Sequence, residues 1–446
     1  MIRCLAIHAF LAAAAVAQSL VFQHVTVIDA TGGPAIPNVS VVLRGGLIER
    51  IAPDVEPPAG STVIDASGKF LIPGLWDMHV HLTDLAPAFR TLVAYGITGV
   101  RDMYSGFAPD VYSPWRTRPD TLRIVAAGMI DAPVRPPSPG ALGVRTAEEA
   151  RLAVQLLTAN RAEFIKVYSS LSRDAYFALA DEARRIGIAF AGHVPESVTP
   201  WEAAEAGQLS QEHLINVLLS CSSREEELRV ERAALLVDPK LSVMERARRF
   251  GWPQEEGLFD TYDPQKAARL FETFVDHGVW HTPTLVVSKY HAAAKPETKG
   301  FMMLDGLPPE QYPGFTTHVQ AVLRRYQQLV GDMHKAGVQF LAGSDAGPAT
   351  GVPLGVSLHE ELELLVASGL TPMEALQTAT RNPAFYFGIL TLMGTVEEGK
   401  SADLVLLDAN PIEDIRNTRK IRSVVMRGRY FSRADLDAML AASPPR

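Results

Sequence analysis

Six side chains spread along this sequence are of types that bind metal ions and activate water. They are His79, His81, Lys166, His193, His213 and Asp345. Most of them follow a short apolar run, at the point where a β-strand would end. Neutral imidazole and carboxylate are ligands that zinc and related ions favour, and a bound ion lowers the pKa of water toward about 7. These residues therefore indicate a metal centre suited to hydrolysing an amide or an ester.

The spacing of the histidines predicts that they meet in space. His79 and His81 are two residues apart, which puts both side chains on one face of a strand and, in a barrel, on its inside. His193 and His213 each stand six residues after a glycine, so they would occupy equivalent heights on consecutive strands. A lone histidine in an apolar run is usually a core residue, but four with this spacing predict metal ligands.

Lys166 and Asp345 complete the predicted set. A protonated lysine would be repelled by nearby cations, so a ligand lysine must be neutral or converted by carbon dioxide to a carbamate. A carbamate is anionic, and its two oxygens can bridge two metal ions. A lysine in a salt bridge on the barrel rim is the alternative that the local sequence leaves open. Asp345 would bind a metal and accept the proton of the activated water, which makes it the predicted catalytic residue.

Alternating strands and helices predict the fold that would gather these residues. In residues 71–394, glycines repeatedly close helical stretches just before apolar strands. Thr146, Thr199 and Thr371 each precede a glutamate by three residues, as in helix-capping boxes. This pattern predicts parallel βα units. A (β/α)8 TIM barrel is favoured over an open doubly wound sheet because a barrel brings all its strand ends to one face.

The chain ends and one internal segment depart from this pattern. Residues 19–70 and 395–435 contain short β-branched runs broken by turn residues, and these two ends could fold onto each other, because domain termini commonly lie close together. Residues 221–275 are charged, helical in pattern and too long for a simple loop. This helical insertion could form part of a lid or a wall for the substrate, and a solvated helical excursion is the alternative.

Composition and the N-terminal residues indicate where the protein acts and which classes of partner it binds. The net charge is −8 and there is no basic stripe, which excludes nucleic acid as an expected partner. Residues 1–18 combine Arg3, an apolar run and Ala15-Val-Ala17, a pattern that predicts a cleaved signal peptide and export to the periplasm or the medium. A membrane anchor or a buried helix is the alternative for this segment. No membrane span is expected in the mature chain, and the oligomeric state stays open, a homo-oligomer included.

The same residues stand in motifs that resemble the amidohydrolase superfamily, in its binuclear branch with a carboxylated lysine. The opening motif is Ile72-Pro-Gly-Leu-Trp-Asp-Met-His-Val-His, and Phe164-Ile-Lys, Gly192-His, Glu212-His and Gly343-Ser-Asp follow in order. The segments Ser357-Leu-His-Glu-Glu-Leu-Glu-Leu and Gly399-Lys-Ser-Ala-Asp-Leu-Val resemble imidazolonepropionase-like and prolidase-like members. The likeness covers nearly the whole of the predicted mature chain.

This resemblance implies a role for each ligand. The first histidine pair would bind the more buried of two divalent ions, zinc being the expected metal, and the second pair would bind the more exposed ion. Carboxylated Lys166 would bridge the two ions, and Asp345 would be both a ligand and the general base. The exposed ion would polarise the scissile carbonyl. The β-rich chain ends would form the small composite β-sandwich beside the barrel.

Two residues are candidates for contacts to the substrate. Tyr168 could offer its hydroxyl to the oxyanion that forms during hydrolysis, or it could pack on the barrel rim. Arg101, at the end of the second barrel strand, could meet a substrate carboxylate or pair with Asp102. Unlike many prolidase-like proteins, this sequence has no histidine in the loop of residues 128–139, so the resemblance does not imply dipeptidase activity.

The sequence thus predicts a metal-dependent hydrolase that uses a metal-bridging hydroxide to cleave an amide C–N bond, or a related ester bond. A dipeptide or an N-acyl amino acid is the kind of small substrate expected. One alternative is a mononuclear deaminase of the same superfamily, with a glutamate near the third histidine. Glu212 is close in sequence, but as the strand neighbour of His213 it is expected on the opposite face. The other alternative is a catalytically inactive barrel used for binding.

Overall fold

A computed structural model of the chain describes residues 19–118, 121–133, 140–236, 257–295 and 312–443. The predicted signal peptide lies outside these ranges. The described strands form two sheets, one of eight strands and one of nine. Among the described residues, no helix is both long enough and apolar enough to cross a lipid bilayer.

The two chain ends together form the eight-stranded sheet. Its strands are β1 (Leu20–Val27), β2 (Ile36–Arg44), β3 (Leu47–Ala52), β4 (Thr62–Asp65), β5 (Phe70–Pro73), β15 (Leu404–Leu407), β16 (Ile421–Met426) and β17 (Arg429–Phe431). Antiparallel pairing of β5 with β15 joins the C-terminal strands to the N-terminal ones. Nearly all side chains in the apolar core of this unit, Phe22, Val41 and Leu404 among them, come from the sheet itself. The sheet therefore curls around its own core, as a sandwich does.

The second sheet is the barrel. Its strands are β6 (Leu75–Val80), β7 (Ile97–Asp102), β8 (Arg123–Asp131), β10 (Phe164–Val167), β11 (Ala189–Gly192), β12 (Ser210–Glu212), β13 (Trp280–Thr282) and β14 (Gln339–Phe340), with the short β9 (Leu142–Gly143) added beside β8. Neighbouring strands pair in chain order, and the pairs are parallel. Their residues are largely buried on both faces, as expected for parallel strands covered by helices.

Hydrogen bonds between the first and last strands close this sheet into a barrel. The amide of Asp345 donates to the carbonyl of His79 at 2.7 Å, and the amide of His81 donates to the carbonyl of Ala346 at 2.9 Å. The prediction of a (β/α)8 barrel beside a sheet domain is confirmed. Three of the predicted ligands therefore lie along the seam where the barrel closes.

Helices surround the barrel and connect its strands. They are α1 (Leu85–Ala94), α2 (Ser113–Arg116), α3 (Ala147–Ala159), α4 (Arg173–Ile186), α5 (Pro200–Glu205), α6 (Val217–Ser220), α7 (Glu225–Leu236), α8 (Pro264–Asp276), α9 (Leu285–Ala292), α10 (Tyr312–Lys335), α11 (Val356–Ala367), α12 (Pro372–Thr378), α13 (Arg381–Tyr386) and α14 (Arg433–Ala441). Complete capping boxes start α5 at Thr199 and α12 at Thr371. Thr146 accepts the Glu149 amide at the start of α3, but the reciprocal bond is absent there.

Two helices are described in and beside the predicted insertion. Helix α7 is an addition to the barrel pattern, whereas α8 directly precedes β13 and buries Leu270 and Phe274 in the main core. Helix α8 therefore lies where a barrel helix is expected. Residues 237–256 of the predicted insertion lie outside the described ranges.

The barrel and the sheet domain meet at the end of the barrel that faces away from the predicted ligands. Arg123, the first residue of β8, pairs with Asp403 at 3.0 Å and donates to the hydroxyl of Ser401. Close by, α13 and the residues after it cover the barrel floor, where the rings of Trp76 and Phe387 lie 5.3 Å apart. The opposite, C-terminal face is left for the candidate site.

Candidate metal centre

The structure brings all six predicted ligands to the C-terminal face of the barrel. His79 and Lys166 lie near the ends of β6 and β10. The other four follow the strands β6, β11, β12 and β14 by one to five residues; they are His81, His193, His213 and Asp345. In a (β/α)8 barrel this face carries the active site, because the strand ends converge there.

Asp345 lies at the centre of the group. Its Oδ1 is 3.2 Å from Nε2 of His79 and 2.9 Å from Nε2 of His81. Ligand atoms of His79, His213 and Asp345 all lie within 4.8 Å of one another. The rings of His193 and His213 are 4.9 Å apart between centroids, so the second histidine pair is continuous with the first.

Each of the four imidazoles is held at Nδ1, so Nε2 is the nitrogen that is available to a metal ion. The Nδ1 partners are Glu212 for His79 at 2.9 Å, the carbonyl of Tyr104 for His81, Ser169 for His193 at 2.7 Å and Thr284 for His213 at 2.7 Å. A carboxylate and a carbonyl only accept, so the first two histidines must carry a proton on Nδ1. A partner at the second nitrogen is the usual way in which a protein orients a histidine ligand.

The donor set fits a cation. Nε2 of His79 is buried and has no hydrogen-bond partner among the described residues. With the single proton of a neutral ring on Nδ1, Nε2 presents a lone pair to the Asp345 carboxylate oxygen 3.2 Å away. Two lone pairs at this distance repel each other unless a cation lies between them. The residues present therefore fit a divalent metal ion held by imidazole and carboxylate.

Burial keeps the site in the protonation states that metal binding requires. It lowers the pKa of His213 to about 3 and holds the pKa of His193 well below its ordinary value, so both rings are neutral at pH 7. It also lowers the pKa of Lys166 to about 8.

The backbone leaves the strand conformation where two of the ligands are attached. His213 and Asp345 have φ values of 61° and 55°, and Thr284, which holds His213, has a φ of 50°. Such left-handed residues cost roughly 1–3 kcal/mol each and cluster at functional sites. The left-handed conformation turns the chain just after the strand, so that the side chains of His213 and Asp345 enter the mouth of the barrel.

This turn corrects the expectation for Glu212. Strand alternation would point Glu212 away from the face that His213 uses, but His213 lies past the end of β12 in the left-handed conformation. Both side chains consequently reach His79: the carboxylate bonds its Nδ1, and the His213 ring lies 4.6 Å from its ring. This support for His79 was not predicted, because the left-handed φ of His213 cannot be read from the local sequence.

Arg101 does not lie where a substrate could reach it. Its side chain is fully buried inside the barrel, and it pairs with Glu212 at 2.8 Å rather than with Asp102. Asp102 instead accepts from the amide of Tyr104 at 3.1 Å. The predicted contact between Arg101 and a substrate carboxylate is therefore wrong, because the guanidinium is enclosed on all sides by protein.

Tyr168 lies beside the site. Its ring centroid is 4.1 Å from that of His193, with 31° between the planes, and Nζ of Lys166 is 5.3 Å from the same centroid. Burial raises the pKa of the Tyr168 phenol, so the hydroxyl keeps its proton and can donate it. The packing against His193 and the predicted donor role are thus compatible.

Further residues that the sequence analysis did not single out connect the parts of the site. Asp77 accepts from the amide of His79 at 3.2 Å and from the amide of Ser344 at 2.9 Å, which ties the first strand to the residue before Asp345. Its place in the opening motif was the available signal. From helix α7, Arg232 donates to Asn216 at 2.8 Å, three residues beyond His213.

Comparison with known proteins agrees with this fold. The chain is 24% identical to ochratoxinase of Aspergillus niger over 458 aligned positions, which cover 88% of the chain and 82% of that protein. The solved structure of a Xaa-Pro dipeptidase superimposes with a TM-score of 0.67 at 19% identity, covering 93% of this chain and 100% of that one. Bottromycin amidohydrolase gives a TM-score of 0.70 at 21% identity, covering 96% and 91%. A model of the Amidohydrolase family matches residues 70–430, so the chain belongs to that family.

Proposed function

We propose that this protein is a metal-dependent hydrolase that cleaves an amide bond of a small substrate at a site for two divalent metal ions. The observation that carries the proposal is the set of four imidazoles anchored at Nδ1 at one face of the barrel, two of which present Nε2 to Oδ1 of Asp345 at 3.2 and 2.9 Å. Family membership and the hydrolase names of the relatives support amide hydrolysis. Cleavage of a related ester bond remains the nearest variant of this activity.

The ligands divide into two groups around Asp345 and Lys166. His79 and His81 would hold one ion and His193 and His213 the other, with zinc as the proposed metal. When bound, such ions supply electrophilic activation of a carbonyl and of water. Asp345 then accepts a proton from the attacking water and returns it to the nitrogen of the leaving amine.

Lys166 is proposed to bridge the two ions as a carbamate. Its side chain is buried, with 2% of the residue exposed, and it lies on β10 between the two histidine pairs. The neutral amine attacks the carbon of carbon dioxide, so that a C–N bond forms as one C=O π bond opens, and the proton lost from nitrogen passes to water; the resulting carbamate carries one negative charge. This charge would remove the repulsion that an ammonium group would feel from the ions.

Tyr168 is the proposed donor to the oxyanion that forms when water adds to the carbonyl. Its packing on His193 puts the phenol next to the ligands of the proposed exposed ion. The substrate class proposed is a dipeptide or an N-acyl amino acid. The relatives named ochratoxinase and Xaa-Pro dipeptidase agree with amide substrates, and neither name identifies the substrate of this chain.

Glu212 separates this proposal from the mononuclear deaminase. A deaminase would need this carboxylate at the substrate, but here it is fully buried and bonds Arg101 and His79. The hydrolase is therefore the better supported reading. Metal analysis together with a substrate screen separates it from a catalytically inactive binding barrel.

The test is elemental analysis of the purified chain, followed by assays on amides after chelation and metal return. About two divalent ions per chain and activity restored by zinc, cobalt or manganese are expected. Protein without bound metal and without restored activity would contradict the proposal.

Lys166→Ala supplies a second test that concerns the carbamate alone. Activity should be lost with folding intact, and small carboxylic acids should restore part of it by replacing the missing carboxylate. Activity lost without any rescue would argue against the bridging carbamate.

Export after cleavage of residues 1–18 is also proposed. N-terminal sequencing of the protein recovered outside the cytoplasm should give a chain that starts at or next to residue 19. An intact N-terminus on protein retained in the cytoplasm would contradict it.

A further inference from the structure

Arg101 is the bulkiest of the fully buried side chains in the described part of the protein. Its guanidinium lies inside the barrel between the rings of Phe164 and Tyr386, with Cζ at 5.8 and 5.3 Å from their centroids. Each of its five N–H groups has an acceptor. The acceptors are the carbonyl of Met78 at 2.6 Å, Ser210 at 2.8 Å, Tyr386 at 3.1 Å, Glu212 at 2.8 Å and Thr282 at 3.2 Å.

Stability does not explain why a charge is buried here. Taking an ion out of water costs several kcal/mol, and an apolar side chain of similar volume often stabilises a core at least as well as a buried ion pair. The guanidinium instead balances the charge of Glu212, whose side chain is also fully buried. The question is therefore what this carboxylate does inside the barrel.

The two oxygens of Glu212 face different partners. Oε1 accepts from Arg101 and from the hydroxyl of Ser210, while Oε2 accepts from Nδ1 of His79 at 2.9 Å. The carboxylate cannot rotate away from His79 without breaking its bonds to Arg101 and Ser210. The position of the guanidinium thus determines the orientation of the imidazole ring.

We propose that Arg101 is a positioning residue that acts through Glu212 on the metal ligand His79. By fixing the carboxylate, it keeps the His79 proton on Nδ1 and directs Nε2 toward the metal. The inference rests on the proposed function, because it requires a metal ion at this site. Arg101 also donates to the hydroxyl of Tyr386, the last residue of helix α13. Hydrogen bonds therefore connect the barrel floor to the metal ligand His79 at the opposite end of the barrel.

The test compares the parent chain with Arg101→Met, Arg101→Lys and a matched control, Arg123→Met. Arg123 also pairs with an aspartate, Asp403, but at the other end of the barrel. Three quantities are measured on the full chain: metal affinity for Zn²⁺ by chelator competition, the visible absorption of bound Co²⁺, and the Tm of the metal-free protein.

Arg101→Met should weaken binding of one ion by about 10–100-fold, the range known for partners of metal-bound histidines, and should change the Co²⁺ spectrum. Arg101→Lys keeps the charge but has fewer donors, so a smaller loss in the same direction is expected. Arg123→Met should lower the Tm and leave the metal affinity within about twofold, because its distance from the ligands removes any effect on His79.

Unchanged affinity and an unchanged Co²⁺ spectrum in both Arg101 variants, with a lower Tm, would overturn the inference and leave Arg101 a structural residue. If Arg101→Met does not fold, Arg101→Lys gives the same decision. A parent chain that binds no metal would overturn the proposed function as well, so the two failures are distinguishable.

Discussion

Replacing the buried His281 by leucine should stabilise the protein, and more so in acid. His281 lies on β13, its ring is fully buried 4.4 Å from that of Phe274, and neither ring nitrogen has a partner among the described residues. Burial lowers its pKa from 6.5 to about 3, so the folded state keeps the ring neutral where the unfolded chain binds a proton. Stability is therefore lost as the pH falls below 6.5 and continues to fall until about pH 3.

The size of the effect follows from that shift. Each pH unit below 6.5 costs about 1.4 kcal/mol for this one group, so the change from pH 7 to pH 5 costs about 2 kcal/mol. His281→Leu removes this cost. It also removes two buried nitrogens without partners, a gain of about 1–3 kcal/mol at pH 7.

Urea unfolding of parent and variant at pH 7 and pH 5 measures both terms. The difference in unfolding free energy between the two proteins should grow by about 2 kcal/mol at the lower pH. His277→Leu is the control, because that ring is exposed at the end of α8 and its replacement should leave the difference unchanged. If the difference in unfolding free energy between the parent and His281→Leu is the same at both pH values, the lowered pKa of His281 does not destabilise the folded protein in acid.

Three other changes test separate parts of the structure. Tyr168→Phe should lower kcat by about 10²–10³ with little change in KM, the loss expected for one oxyanion donor, and an unchanged kcat in steady-state assays would rule out this role. Gly192→Ala should reduce the unfolding free energy by about 1–3 kcal/mol and weaken metal binding, because the φ of Gly192 is 131° and the added Cβ would lie 2.3 Å from the carbonyl oxygen of Val167. A variant with the Tm and the metal affinity of the parent would contradict this. Arg232→Ala should speed amide hydrogen exchange in α7, measured by mass spectrometry, without reducing the metal content, since Arg232 joins this helix to Asn216. Unchanged exchange would show that this contact does not hold α7.

The barrel and the meeting of its ligands were predictable because both depend on local pattern. Glycine stops, capping threonines and short apolar runs locate strand ends from neighbouring residues alone. Equal offsets of His193 and His213 from a glycine correspond to rings that lie 4.9 Å apart. Strand alternation likewise put His79 and His81 on one face, and both reach Asp345.

The environment of the ligands was not predictable, because it depends on contacts between distant segments. The side chains that bond Arg101 lie 109 to 285 positions away along the chain, and no local pattern indicates such partners. Strand alternation predicted that Glu212 and His213 point to opposite faces. This was wrong because His213 has a left-handed backbone, which a repeating strand pattern does not predict. The hydroxyls of Ser169 and Thr284 hold two histidines for the same spatial reason.

The most direct test of the central claim is a crystal structure of the zinc-loaded chain with anomalous diffraction data at the zinc edge. Two anomalous peaks about 3.5–4 Å apart are expected, the separation usual for paired-metal hydrolytic sites. One peak should lie at His79 and His81 and the other at His193 and His213, with carbamate density extending from Lys166 between them. A single peak, or no peak, beside an unmodified Lys166 would contradict it.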